Sequence, residues 1–261
     1  MSDETVGTPR LRKAVRQKLE SLARSGVTHV PAAKAVKGTR KVASVAAPPP
    51  SPAAKASGVA AVAESKPPNV ARPPGEDSLA IIAAEVAACT RCPELASTRT
   101  QTVPGVGNPH PQLMFLGEAP GADEDRQGEP FVGRAGQLLT LMIENGMKLK
   151  RADVFIGNVL KCRPPGNRTP APEEAANCRG YLDRQIAILK PQFICCLGAV
   201  AAQNLLGTDR AIGKLRGQLF DYRGAKVVCT YHPAYLLRNP AAKKDTWADL
   251  QLLMKEMGLP V

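Results

Sequence analysis

Leu113-Met114-Phe115-Leu116 runs directly into Gly117-Glu118-Ala119-Pro120-Gly121. Consecutive apolar residues leave no polar face, so this run reads as a strand covered on both sides, and the glycines after it allow a tight turn and close backbone approach to a ligand. The pattern recurs. Apolar runs Val154 to Ile156, Phe193 to Leu197 and Val227 to Thr230 alternate with segments of helical spacing at Ser78 to Ala88, Gly136 to Asn145, Glu173 to Leu189, Ala199 to Leu206 and Asp245 to Met257. Short buried strands alternating with helices indicate an α/β domain on a mostly parallel sheet with both faces covered. Ligands of such sheets sit beyond the carboxyl ends of the strands. That rule selects Gly117 to Gly121, Asn158 to Cys162, Gly198, and His232 to Arg238.

The chain has 261 residues, and no apolar run approaches the roughly 20 that a membrane span needs. Its formal net charge of +12 is unevenly spread. Residues 1 to 75 hold 13 Lys and Arg against four acidic residues, a net +9, with ten prolines and no aromatic residue, which leaves +3 for the rest. Such a segment buries too little apolar surface to offset the entropy of ordering. It is expected to be a disordered basic tail, with a short helix at 9–25 where Thr8 and Pro9 precede Leu11, Val15, Leu19 and Leu22. The tail would make protein or DNA contacts, in the latter case adding salt-sensitive affinity. The folded domain is expected over 76–261. The opening Met-Ser-Asp-Glu has neither the basic n-region nor the apolar core of a secretory signal, so a cytoplasmic location is expected, nucleoid-associated in a bacterium, with no membrane partner.

Four of the seven cysteines form two pairs. Cys89 and Cys92 enclose two residues, Cys162 and Cys178 enclose fifteen, and 69 lie between the pairs. An odd cysteine count without a secretory signal does not suggest a disulfide framework, and four soft thiolates suit either an iron-sulfur cluster or a structural zinc. Zinc sites commonly use two short hooks, so the wide, proline-rich second pair leans toward iron-sulfur. Unrelated core thiols are the plainer alternative. The polar neighbours Thr90, Arg91, Lys161 and Arg163 oppose it, whereas Cys195, Cys196 and Cys229, in apolar strands, read as core.

Each motif taken singly has an ordinary reading. Gly117 to Gly121 would serve as a tight loop, Phe131 as core, Asn158 as a turn residue and His232 as a structural strand-end histidine. Together, three segments and the four cysteines resemble the family-4 uracil-DNA glycosylases, the iron-sulfur branch of the uracil-DNA glycosylase superfamily. The segments are Gly117-Glu118-Ala119-Pro120-Gly121 with Glu129-Pro130-Phe131-Val132-Gly133, Asn158-Val159-Leu160-Lys161-Cys162-Arg163-Pro164-Pro165-Gly166-Asn167-Arg168, and His232-Pro233-Ala234-Tyr235-Leu236-Leu237-Arg238. The likeness runs from about Leu79 to Leu253.

The resemblance implies a three-layer α/β/α fold around a four-stranded, mostly parallel sheet, with a 4Fe-4S cluster on Cys89, Cys92, Cys162 and Cys178. It implies an enzyme of base excision repair that flips uracil out of DNA and hydrolyses its N-glycosidic bond. Phe131 would stack on the base, Asn158 would read its edge, Glu118 would exclude the thymine methyl, and Ala119 would offer a backbone amide. His232 would stabilise the departing anion. Glu124, joined to Asn167 by a hydrogen bond, would position the attacking water, with Asp123 and Asp125 as competitors. Leu236, Leu237 and Arg238 would form a wedge and phosphate contact, with Lys161, Arg163 and Arg168 holding the DNA backbone. A monomer is expected. Two alternatives remain open: a non-catalytic iron-sulfur DNA-binding or redox-sensing module of the same fold, and the branch that bonds covalently to DNA through a histidine in an inserted loop. No histidine lies between Asn158 and Cys178, which favours hydrolysis.

Overall fold

The computed structural model describes residues 77–261; the expected tail and its helix at 9–25 lie outside them. Four apolar strands form the centre: β2 (Leu113–Gly117), β3 (Phe155–Asn158), β4 (Phe193–Leu197) and β6 (Ala225–Thr230). They pair in parallel in the order β3-β2-β4-β6. Two antiparallel edge strands, β1 (Val106–Gly107) beside β3 and β5 (Leu219–Tyr222) beside β6, extend the expected four-stranded sheet to six.

Side chains of a strand alternate between faces, so a fully apolar strand must feed two cores. Met114, Leu116, Ile194, Cys196, Val227 and Cys229 face one side, where they pack with Leu182 and Ile186 of the helix Pro172–Leu189 and Ala201 and Leu205 of the helix Ala199–Leu206. Leu113, Phe115, Cys195, Leu197 and Val228 face the other, against Leu139 of the helix Arg134–Leu141 and Leu250 and Leu253 of the helix Lys243–Glu256. The result is the expected three-layer arrangement. Cys195, Cys196 and Cys229 are fully buried, as their apolar context predicts.

The first helix, Leu79–Ala87, begins where Ser78 caps it by accepting from the Ile81 amide. Ile82 and Val86 then pack on Tyr181 of the long helix. The helix expected at Gly136 to Asn145 starts earlier, at Arg134, and ends in a π-helical turn over Met142–Gly146. Among the described residues, no helix is long and apolar enough to cross a membrane.

Candidate active site

The carboxyl ends of the parallel strands meet at a cavity of about 710 Å³, within the roughly 300–1,000 Å³ of small-molecule sites. Parallel register sets Gly117 opposite Asn158 at the ends of β2 and β3. A methyl group on Gly117 would lie 2.3 Å from Asn158 Oδ1 and 2.6 Å from the Phe131 ring, so only glycine lets the two side chains close over the strand ends. Asn158 is 1 % exposed, and its Oδ1 is buried without a hydrogen-bond partner. Leaving a buried acceptor unpaired costs about 1–3 kcal/mol, which a ligand donor would recover.

Phe131 and His232 complete the chamber, their ring centroids 5.5 Å apart. His232 follows β6 and caps the short helix Pro233–Arg238, with Nδ1 accepting from the Ala234 amide at 3.1 Å. Burial, helped by Arg238, lowers its pKa to about 4. The imidazole is therefore neutral near pH 7, with its proton on Nε2 and available to the cavity. Glu118 and Ala119 line the same space. The Glu118 carboxyl has no hydrogen-bond partner among the described residues, and burial raises its pKa.

Glu124 and Asn167 both line the cavity, without the hydrogen bond expected between them. Glu124 instead accepts from the backbone amides of Gly121, Val132 and Gly133, tying the loop after β2 to the loop carrying Phe131. Asn167 Oδ1 accepts from Arg163 Nε at 2.7 Å. Of the competing acids, Asp125 is buried and accepts from the Thr100 amide, while Asp123 pairs with Arg126.

The expected DNA contacts divide. Leu237 and Arg238 are exposed and line the cavity mouth, whereas Leu236 is 1 % exposed and belongs to the interior. Lys161 also moves inside: it is fully buried, and its Nζ donates to the Asn158 carbonyl at 2.8 Å and to Gln185 Oε1 at 2.6 Å. It braces the strand end that carries Asn158. Burial lowers its pKa to about 8. Arg168 is engaged by Glu174 and Glu94, so it joins the segment after Cys92 to the long helix before meeting any phosphate. Arg163 is half-buried and points toward Asn167.

The cysteine pairs converge beside this end of the sheet. The Cys162 thiol feels Cys89 and Cys92 electrostatically, and Cys178 feels Cys162 and Cys92. Burial raises all of Cys92, Cys162 and Cys178, the last to about 11. Donors oppose that shift: Arg99 Nη1 lies 3.0 Å from Cys162 Sγ, and Asn177 Nδ2 lies 3.5 Å from Cys92 Sγ. Lys161 does the same for Cys178. Among the described residues, no group of three or more His, Cys, Asp or Glu is placed to hold a single metal ion. The four thiols are soft donors, and two of their sulfurs carry a polar side-chain neighbour, Arg99 at Cys162 and Asn177 at Cys92.

A partner-seeking amide, a ring and a neutral imidazole around one chamber define a site for a planar, polar heterocycle. The profile of the Uracil DNA glycosylase superfamily matches residues 104–251. A type-4 uracil-DNA glycosylase of Archaeoglobus fulgidus is 44 % identical over 190 residues, covering 70 % of this chain and 94 % of the relative. One from Thermotoga maritima is 49 % identical over 167 residues, covering 63 % and 85 %. A type-5 enzyme of Pyrobaculum aerophilum is 30 % identical over 183 residues, covering 58 % and 80 %. The chain belongs to the uracil-DNA glycosylase superfamily, with the type-4 enzymes.

Proposed function

We propose that this protein excises uracil from DNA by hydrolysing the N-glycosidic bond of an extruded uridine. The observation that carries the proposal is the orphaned Asn158 Oδ1 facing Phe131 and His232 in one cavity. Uracil has an N–H beside a carbonyl on its pairing edge, so one carboxamide satisfies both: Oδ1 accepts from the ring N–H and Nδ2 donates to the carbonyl. Cytosine presents a donor where uracil has that carbonyl, and would leave polar groups unpaired. Phe131 stacks on the base. Glu118 blocks the methyl by which thymine differs.

Bond cleavage leaves negative charge on the base, and a fixed donor at that charge lowers the barrier. The Nε2–H of His232 is that donor, because Nδ1 is already committed to the Ala234 amide. Water then attacks the sugar carbon, for which the cavity acids Glu118 and Asp123 are candidate positioners, along with Asn167; Glu124 has both oxygens engaged. Leu237 fills the gap left in the duplex while Arg238 meets phosphate. Leu237→Ala should lower excision from duplex DNA about tenfold or more, on the scale of losing a wedge's unstacking contribution. Leu236→Ala should lower the melting temperature instead. Equal excision by Leu237→Ala and wild type would remove the wedge from the scheme.

Cys89, Cys92, Cys162 and Cys178 would hold a 4Fe-4S cluster. A cluster would supply cross-linking, since hydrolysis moves no electrons; the chain's own residues perform every step above. Cys178→Ser should abolish visible absorbance of the purified protein and lower its melting temperature. Undiminished colour would contradict the assignment.

The deciding assay incubates the protein with oligonucleotides containing uracil, thymine or cytosine at one position and cleaves abasic sites with alkali. Breaks at uracil alone are expected. No breaks would overturn the enzymatic reading, and a denaturant-resistant protein-DNA adduct would replace hydrolysis with covalent capture. Action on DNA inside the cytoplasm, as a monomer and aided by the basic tail, completes the proposal.

A further inference from the structure

Phe131 stands at φ +55°, in the left-handed region that non-glycine residues avoid. Such a conformation persists where its surroundings over-determine it, and it is concentrated at functional sites. Two features enforce it here. Gly136 approaches so closely that a methyl group there would lie 1.8 Å from the Phe131 carbonyl oxygen. From the opposite side of the turn, Arg151 reaches back from the 3-10 turn Arg151–Asp153 that precedes β3. Its Nη2 donates to the Pro130 carbonyl at 2.8 Å and the Phe131 carbonyl at 3.1 Å, while Nη1 donates to Thr140 Oγ1 at 3.0 Å. Thr140 in turn donates to the Gly136 carbonyl, so one guanidinium ties the strained residue to the helix that crowds it.

We infer that Arg151 is a positioning residue for base stacking: its fork holds the left-handed turn that aims the Phe131 ring between the Asn158 amide and His232. The inference rests on the uracil-excision reading of the cavity. Arg151 is not among the residues that line the cavity, so its effect on a bound base must pass through Phe131. A planar fork suits two adjacent carbonyls and a hydroxyl at once, which one ammonium cannot match.

The test is a double-mutant cycle on the full chain, reading uracil excision as kcat and KM separately, with melting temperature alongside. Arg151→Met should reduce kcat/KM by about tenfold or more in the wild-type background. In the Phe131→Ala background the same change should have almost no further effect, because there is no ring left to aim. Arg151→Lys, which keeps the charge and an N–H donor group but not the planar fork, should recover part of the loss. If Arg151→Met does not fold, Thr140→Val, which frees one arm of the guanidinium, takes its place in the cycle with a smaller expected loss. Equal factors in both backgrounds would overturn the inference and leave Arg151 a stabilising residue only. Absence of excision by the wild-type protein would instead overturn the function on which the inference rests.

Discussion

Asn158→Asp should reduce kcat/KM for uracil by about a thousandfold or more, the scale on which a hydrogen-bonding pocket rejects a group that mispairs with it. The exchange conserves shape while replacing the Nδ2 donor by an acceptor. Ionised, the new side chain offers only acceptors, so uracil's carbonyl would face an oxygen with no proton between them. Burying that charge costs further, since Asn158 is 1 % exposed and lies against Phe131. The companion readout is the affinity for free uracil as a product inhibitor, which should fall with excision. Visible absorbance should persist, because no thiol is altered, while the buried carboxylate should lower the melting temperature. Excision within tenfold of wild type would show that another group reads the base.

His232→Ala should cost about 100- to 1,000-fold in kcat, the usual penalty for deleting a donor at a developing anion, with KM for DNA nearly unchanged. Acidity gives an independent check. The ordinary histidine value is 6.5, and burial depresses His232 to about 4. The group therefore stays neutral down to about pH 4, and its stabilising effect is complete above pH 6.5 and lost as pH falls through the folded value. His232 should contribute no inflection to kcat near pH 6.5. An inflection there that disappears in His232→Ala would show that the imidazole titrates freely, and with it that the Nδ1 bond to the Ala234 amide does not persist in the complex.

The chemistry-bearing residues were legible because strand ends collect them. Gly117, Asn158 and His232 each follow an apolar run, and parallel strands point those ends the same way. Tertiary partners decided the rest. Lys161 reads as a surface cation until Gln185, 24 residues later, takes up its ammonium. Arg168 reads as a phosphate ligand until Glu94, 74 residues earlier, engages it. Leu236 and Leu237 are neighbours on a six-residue helix, where sequence spacing does not say which faces outward.

The edge strands escaped for local reasons. β1 has two residues, too few to show a period. β5 joins β6 through Arg223 and Gly224, both with positive φ, a hairpin geometry usually announced by Asn-Gly. Arg151 carried no signal at all. Its task is written in a backbone angle at Phe131, which only the folded chain displays.

Arg168 links Glu94, two residues past Cys92, to Glu174, one turn ahead of Cys178, and Arg91 exchanges hydrogen bonds with Asn177 across the same seam. These fasteners are made of side chains and backbone alone. Loss of one thiol would therefore leave the Cys92 segment still joined to the long helix.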